Sequence, residues 1–304
     1  MNRNVIASDI NPYACMLTRA KLHAPRCEQT WTSQLARLSS LLKARSETQA
    51  SNTPDWIRAF FNETTLCETE ALFNETIKRR YYFVLGCLLG ILHHQRPGFL
   101  SFPSSHLVPY LRDNVFPRNE YPELYGYRDP IPRLEAKIRR ILSVPPPILN
   151  AKYKVLQKSA LKKYLPPCSV DTIITSPPYM SALDYARDNR LRLWFLGVED
   201  FRSIKCQEIG NIKSFRLEME AALGQMRDAL KPGCNCVLIL GDVTFSKKEY
   251  DVPMMIIDAM HTINSTMVLE KKWTDVIPDK RRSRRNGRAT RHETIMVFRK
   301  KRRM

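Results

Sequence analysis

A chain of 304 residues carrying 49 Lys and Arg against 30 Asp and Glu, a formal charge of +19, has room for one large core or one core with a sizeable inserted module, and argues against two separate enzymes. So large a positive surplus exceeds what solubility needs and points to a polyanionic partner, nucleic acid ahead of an anionic membrane. No run approaches the roughly 18 to 20 apolar residues of a spanning helix, and residues 4–13 hold polar and acidic side chains where a secretory leader needs apolar ones, so the chain is expected to be cytoplasmic in a bacterium or nuclear in a eukaryote.

In chain order, Val5 to Asp9 reads as a short buried strand ending in an acid. Asn11 is placed to cap the helix that follows to about Leu22, and Pro12 fits its first turn. Residues 30–95 read as helical, with Trp31, Leu35, Leu38 and Leu42 at spacings of three and four, then an amphipathic stretch from Thr65 to Leu92. Repeated prolines make residues 96–149 loop-rich, with one good helix from Pro132 to Leu142.

An α/β pattern follows. Val170 to Thr175 is a β-branched strand closed by Ser176-Pro177-Pro178-Tyr179. A helix from Ser214 to Leu230 is expected to stop at Lys231-Pro232-Gly233, followed by a buried strand from Cys236 to Asp242. Pro253 to Ile263 reads as a helix and Thr294 to Phe298 as a last strand. Strands alternating with helices predict an α/β fold with a doubly wound, mainly parallel sheet. Ligands of such sheets sit at the carboxyl ends of the strands, where Asp9, Ser176 and Asp242 fall.

The eight cysteines are scattered, and Cys234 and Cys236 form a C-x-C pair inside an apolar run with no second pair beside it. Reduced, mostly buried thiols are expected, and no metal. His93-His94 ends an apolar helix without acidic or cysteine companions, which suits a helix terminus.

The Pro-Pro pair after a strand carries the most chemistry. It fixes two φ angles and removes two backbone donors, leaving carbonyls aimed in a set direction. The exocyclic amine of a nucleobase is a poor nucleophile, because its lone pair is delocalised into the ring. Accepting its hydrogens on Ser176 Oγ and the Pro177 carbonyl would localise that lone pair. Tyr179 would stack on a base extruded from the duplex. A plain proline turn with a packed tyrosine is the structural alternative. Seven cations fall among the twelve residues 280–291, including Lys280, Arg281, Arg282, Arg284, Arg285 and Arg288. Gly287 and Asn286 lie among them. Such a run suits phosphate contacts, or a solvated loop.

Residues Asp171 to Tyr179, DTIITSPPY, and their continuation to Gly197 resemble the catalytic motif of bacterial-type site-specific amino-methyltransferases acting on DNA, a class often found in restriction-modification systems. The resemblance extends to Leu230-Lys231-Pro232-Gly233 with its strand to Asp242, to His292 through Lys300, and to Ala7 through Pro12. It implies a fold of the S-adenosylmethionine-dependent methyltransferase type with a largely helical insertion. In that class a Ser at the first motif position is commoner among N4-cytosine enzymes, and Asp or Asn among N6-adenine enzymes. The resemblance makes Ser176, Pro177, Pro178 and Tyr179 catalytic, and S-adenosylmethionine the cofactor. Asp9 becomes the ribose acceptor, with Asn11 and Ser176 beside the cofactor and Asp184 and Tyr185 near the pocket. The implied organisation is a partial cofactor-binding segment at residues 1–24, an insertion suited to DNA recognition at 25–150, and the catalytic part with its basic segment at 151–304. Aromatic and basic residues of the insertion (Arg79, Arg80, Tyr81, Tyr82, Arg112, Arg118, Tyr125, Tyr127 and Arg128) suit target recognition in duplex DNA.

The sequence departs from the family pattern at two places. No glycine precedes Gly86, so no loop similar to F-x-G-x-G, which lets backbone approach the cofactor, precedes Asp9. Leu156-Gln157-Lys158-Ser159-Ala160 stands where members often carry an acid near the cofactor adenine. Three readings follow: a DNA amino-methyltransferase; a catalytically incomplete DNA-binding remnant or half of a split enzyme whose partner chain supplies the glycine loop; and, last, methylation of RNA or of a protein glutamine.

Overall fold

A computed structural model describes residues 3–44, 53–93, 99–105, 109–148, 150–177, 185–204, 212–241, 243–245, 248–263, 266–277 and 292–302. The elements in order are β1 (Val5–Asp9), α1 (Pro12–Leu22), α2 (Glu28–Lys43), α3 (Asp55–Arg58), α4 (Glu63–Lys78), α5 (Tyr82–Leu89), α6 (Pro130–Leu142), β2 (Tyr153–Gln157), β3 (Val170–Thr175), α7 (Tyr185–Asp188), α8 (Arg190–Phe195), α9 (Ile212–Ala229), β4 (Leu230–Gly241), β5 (Val243–Phe245), β6 (Lys248–Tyr250), α10 (Val252–Thr262), β7 (Met267–Val276) and β8 (His292–Lys300). The fold is α/β, and the chain divides into two compact units, one of residues 1–157 with 185–204 and one of residues 158–184 with 205–304. Among the described residues no helix is long and apolar enough to cross a membrane.

In the first unit β1 and β2 pair in parallel, from Val5 opposite Tyr153 to Asp9 opposite Gln157. The strand at Val5 was expected to be buried. Val5 and Ile6 are instead 51% and 50% exposed, because a two-stranded sheet covers neither the faces nor the outer edge of its strands. The start of α1 follows the sequence expectation: Asn11 Oδ1 accepts the Tyr13 N–H and Pro12 takes the first turn. Residues 65–92 form two helices rather than one. Arg80 turns left-handed at φ 57°, which ends α4 and restarts the chain as α5. The core of this unit is helical, built on Leu38, Leu72, Val84, Leu88 and Ile138.

Helices α1 and α5 touch at a glycine. A Cβ on Gly86 would lie 2.5 Å from Ala20 Cβ, and a methyl-bearing backbone cannot rotate away as a long side chain could. Gly86→Ala is therefore expected to destabilise the chain by about 1–3 kcal/mol, against the usual gain from Ala in a helix. Urea unfolding of the two proteins checks it, and equal midpoints would refute the close contact.

The second unit carries a four-stranded sheet in the order β3-β4-β8-β7. The β3–β4 pair is parallel, and β8 runs antiparallel to both β4 and β7. Helices α9 and α10 pack on one another and on β4, over a core of Phe215, Leu223, Leu238, Ile256, Met296 and Phe298. Alternation decides the faces: Cys236, Leu238 and Leu240 are buried while Val237 and Ile239 between them are half-buried. Lys231-Pro232-Gly233 does end α9, but the chain enters β4 at once, and the residues between Leu230 and Asn235 are absorbed as an irregularity opposite Val170 to Thr172. Gly233 adopts φ 79° there, a conformation open to glycine without cost. Strands β2, β5, β6 and β7 are additions to the sequence expectation, and β8 extends past Thr294–Phe298 at both ends.

Candidate cofactor and catalytic sites

In the first unit, the carboxyl ends of β1 and β2 lie side by side. Asp9 is the last residue of β1 and is exposed. One carboxylate oxygen accepts the Asn11 N–H at 2.8 Å, which fixes the side chain over the turn into α1 and leaves it accessible. Asn11 is buried, and its Oδ1 is committed to capping Tyr13 N at 2.9 Å. Cys15 Sγ donates to the carbonyls of Asp9 (3.4 Å) and Leu156 (3.5 Å), tying the two strand ends together. Burial, and the charge of Asp9, push this thiol up from its ordinary range.

Gln157 ends β2 opposite Asp9 and donates to the Ile10 carbonyl at 3.5 Å. An amide, which both donates and accepts, thus stands beside the acid. The pairing of β1 with β2 is what brings these residues together; nothing in the residue types of YKVLQ announced it.

In the second unit, Ser176 and Pro177 leave the carboxyl end of β3, Ser176 exposed and Pro177 buried. That is the end of a parallel strand at which α/β sheets bind ligands. Lys231 Nζ meets Asp171 Oδ1 at 2.8 Å, joining the starts of β3 and β4 through an exposed ion pair of small weight. Pro178, Tyr179, Asp184 and Asp242 lie outside the described residues. The basic residues Lys280, Arg281, Arg282, Arg284, Arg285 and Arg288 lie outside them as well. Their run joins β7 to β8, whose facing ends are Val276 and His292.

Several insertion residues singled out by type serve internal contacts. Arg128 is buried and donates to the carbonyls of Phe99, Ser101 and Leu124. Tyr127 Oη donates to Glu68 at 2.8 Å, and burial with that carboxylate pushes the phenol up. Tyr125 Oη bonds Asp113 and the Phe116 carbonyl, with Arg118 over its ring at 4.7 Å. Arg79 pairs with Glu75, and Tyr82 meets the His23 ring edge-on at 4.8 Å. Composition cannot separate such residues from ligand-facing ones.

Among the described residues no group of three or more His, Cys, Asp or Glu side chains gathers as a metal site. Cys87 and Cys236 are buried, and burial raises both thiols to about 12. Cys27 and Cys168 are exposed. Alkylation of the native chain at pH 8 is expected to modify Cys27 and Cys168 within minutes and to spare Cys87 and Cys236 until unfolding, since only the accessible thiolate reacts. Peptide mass mapping reads the outcome, and early labelling of Cys236 would contradict the burial described.

No family model matches the chain, and no curated protein sequence matches it. Among solved structures it is similar to a provisionally named DNA modification methylase from Thermus thermophilus, complexed with S-adenosyl-L-methionine. That likeness has 16% identity over 46% of this chain and 49% of that one, and a TM-score of 0.30. A SAM-dependent methyltransferase from Methanosarcina mazei is similar at 12% identity over 56% of this chain and 76% of that one, also with a TM-score of 0.30. The chain spans about half the length of the Thermus protein.

Proposed function

We propose that the chain is an S-adenosylmethionine-dependent methyltransferase acting on the exocyclic amine of a base in double-stranded DNA, cytosine N4 ahead of adenine N6. The observation that carries this reading is the position of Ser176-Pro177 directly at the carboxyl end of the parallel strand β3, the position the chemistry of an S-P-P-Y loop requires.

The cofactor supplies an electrophilic methyl group on a sulfonium when bound. Asp9, exposed and oriented by the Asn11 N–H, suits the two hydroxyls of a ribose, because a carboxylate accepts both in charge-assisted bonds. Ser176 Oγ and the Pro177 carbonyl accept the two amine hydrogens of the target base and so aim its lone pair away from the ring system. The proton lost after transfer passes from the amine towards these acceptors and solvent. Tyr179 holds the base by stacking. Ser at the first motif position favours cytosine, and the +19 charge with the run at 280–291 favours a phosphate backbone as partner.

A second reading is a DNA-binding chain whose cofactor site is completed by a partner chain that supplies a glycine-rich loop. It is favoured by the outer edge of β1, which pairs with no strand among the described residues and leaves Val5 and Ile6 open.

Calorimetry with S-adenosylmethionine separates the two readings. On the first, the chain binds the cofactor, and Asp9→Asn weakens binding about tenfold. That substitution keeps an oxygen for the Asn11 N–H and removes only the charge, at roughly 1.4 kcal/mol for one charge-assisted bond. Salt-sensitive DNA binding without cofactor binding would replace the first reading with the second. Cofactor binding unaffected by Asp9→Asn would remove Asp9 from the site.

A further inference from the structure

In the first unit, three residues from distant parts of the sequence meet at the surface. Arg190, the first residue of α8, places its guanidinium 4.7 Å from the ring centre of Tyr110 and 5.5 Å from that of Trp56 in α3. Arg190 Nη2 donates to the Pro109 carbonyl at 2.6 Å, which helps hold the group against both rings. Its Nε is buried without a hydrogen-bond partner among the described residues. Trp56 and Tyr110 remain 37% and 48% exposed. Neither ring belongs to the hydrophobic core, unlike Tyr13, Tyr81, Tyr82 and Trp194, which pack against it.

Core packing therefore does not account for these two rings. A tryptophan and a tyrosine held open to water around a cation give up apolar burial that the same residues obtain elsewhere in the unit. The arrangement suits a ligand with a flat π face and a negative charge. The rings offer stacking surfaces, stiffened by the guanidinium and so ordered before binding. Arg190 and the positive charge of Arg187 beside it offer an anion contact. Unpaired nucleotides present both groups, a base to stack and a phosphate to pair with.

We propose that Trp56, Arg190 and Tyr110 form a stacking clamp for unpaired bases of the nucleic-acid substrate. The clamp deepens the reading of the preceding section and rests on its nucleic-acid part, not on methyl transfer. Arg190 lies in the segment that follows the Ser-Pro-Pro-Tyr loop in sequence, and an enzyme that extrudes a base leaves unpaired neighbours to be held.

The test uses the full chain and a fluorescein-labelled 20-mer of thymidine, with binding read by anisotropy across a salt series. Trp56→Ala and Tyr110→Ala are each expected to weaken binding about 5- to 100-fold with an unchanged salt slope, since stacking releases no counterions. Trp56→Phe and Tyr110→Phe, which keep a ring, are expected to stay within about threefold of the parent. Thermal unfolding confirms that each variant is native. Native alanine variants that bind like the parent overturn the clamp, as do phenylalanine variants that lose as much as the alanine ones, or a parent chain that binds no oligonucleotide at low salt. Ring-dependent oligonucleotide binding in a chain that fails to bind S-adenosylmethionine would leave the clamp standing and sink the methyltransferase reading.

Discussion

Ser176→Ala is expected to lower methyl transfer to DNA by about 10²- to 10³-fold, the loss typical of one preorganised hydrogen-bond partner at a reacting centre. Ser176 is exposed at the end of β3, so removing its Oγ leaves the β3–β4 ladder and the core beneath it intact. Tyr179→Ala is expected to cost a similar factor by a different route, through lost stacking on the extruded base. The two should differ in kinetics. Loss at Ser176 falls on kcat, because the amine hydrogens are accepted most strongly as the lone pair is used, whereas loss at Tyr179 also raises KM for DNA. Turnover unchanged in either variant would remove that residue from the catalytic pocket.

Arg128→Ala is expected to destabilise the chain by about 3–5 kcal/mol, lowering Tm by about 10 °C. The guanidinium supplies hydrogen bonds to three backbone carbonyls, at Phe99, Ser101 and Leu124. The Arg128 N–H and carbonyl are held by Thr65 Oγ1 at 2.9 and 3.2 Å. Burial holds the Arg128 pKa below its ordinary value, yet the group stays charged at any physiological pH. Its removal strands acceptors in a loop segment that has little regular structure of its own. Arg128→Lys is expected to recover only a minor part, because a single ammonium cannot span the positions that the planar fork reaches. Arg79→Ala, which removes the more exposed partner of the pair with the largely buried Glu75, should lower Tm by less than Arg128→Ala. Equal melting of Arg128→Ala and the parent would show that these carbonyls find water instead.

The parts of the fold legible in sequence are those governed by local chemistry. Asn11-Pro12 announces a helix start because both residues act within one turn. Val170 to Thr175 announces a strand because β-branched residues stop abruptly at two prolines, and that boundary also located Ser176. The parts that were not legible depend on distant partners. Strand β7 carries Lys271, Lys272 and Trp273, which give no strand alternation, and it exists through its ladder with β8. The break between α4 and α5 rests on one left-handed arginine, a residue type with no preference for that conformation. Ile174 in β3 is 68% exposed despite its apolar type, since β3 ends the strand order of its sheet. The same limit applies to the arginines of the first unit. Arg128 and Arg190 are indistinguishable by type, and only the groups facing them, three carbonyls for one and one carbonyl with two exposed rings for the other, tell them apart.

The most direct test incubates the purified full chain with mixed-sequence duplex DNA and methyl-labelled S-adenosylmethionine, then digests the DNA and identifies methylated nucleosides by mass spectrometry. N4-methylcytosine is the expected product, lowered about 10²- to 10³-fold in Ser176→Ala. N6-methyladenine would keep the mechanism and change the base. DNA that gains no methyl group even at high cofactor concentration would contradict the assignment of Ser176-Pro177 as a working amine-methylation site in this chain.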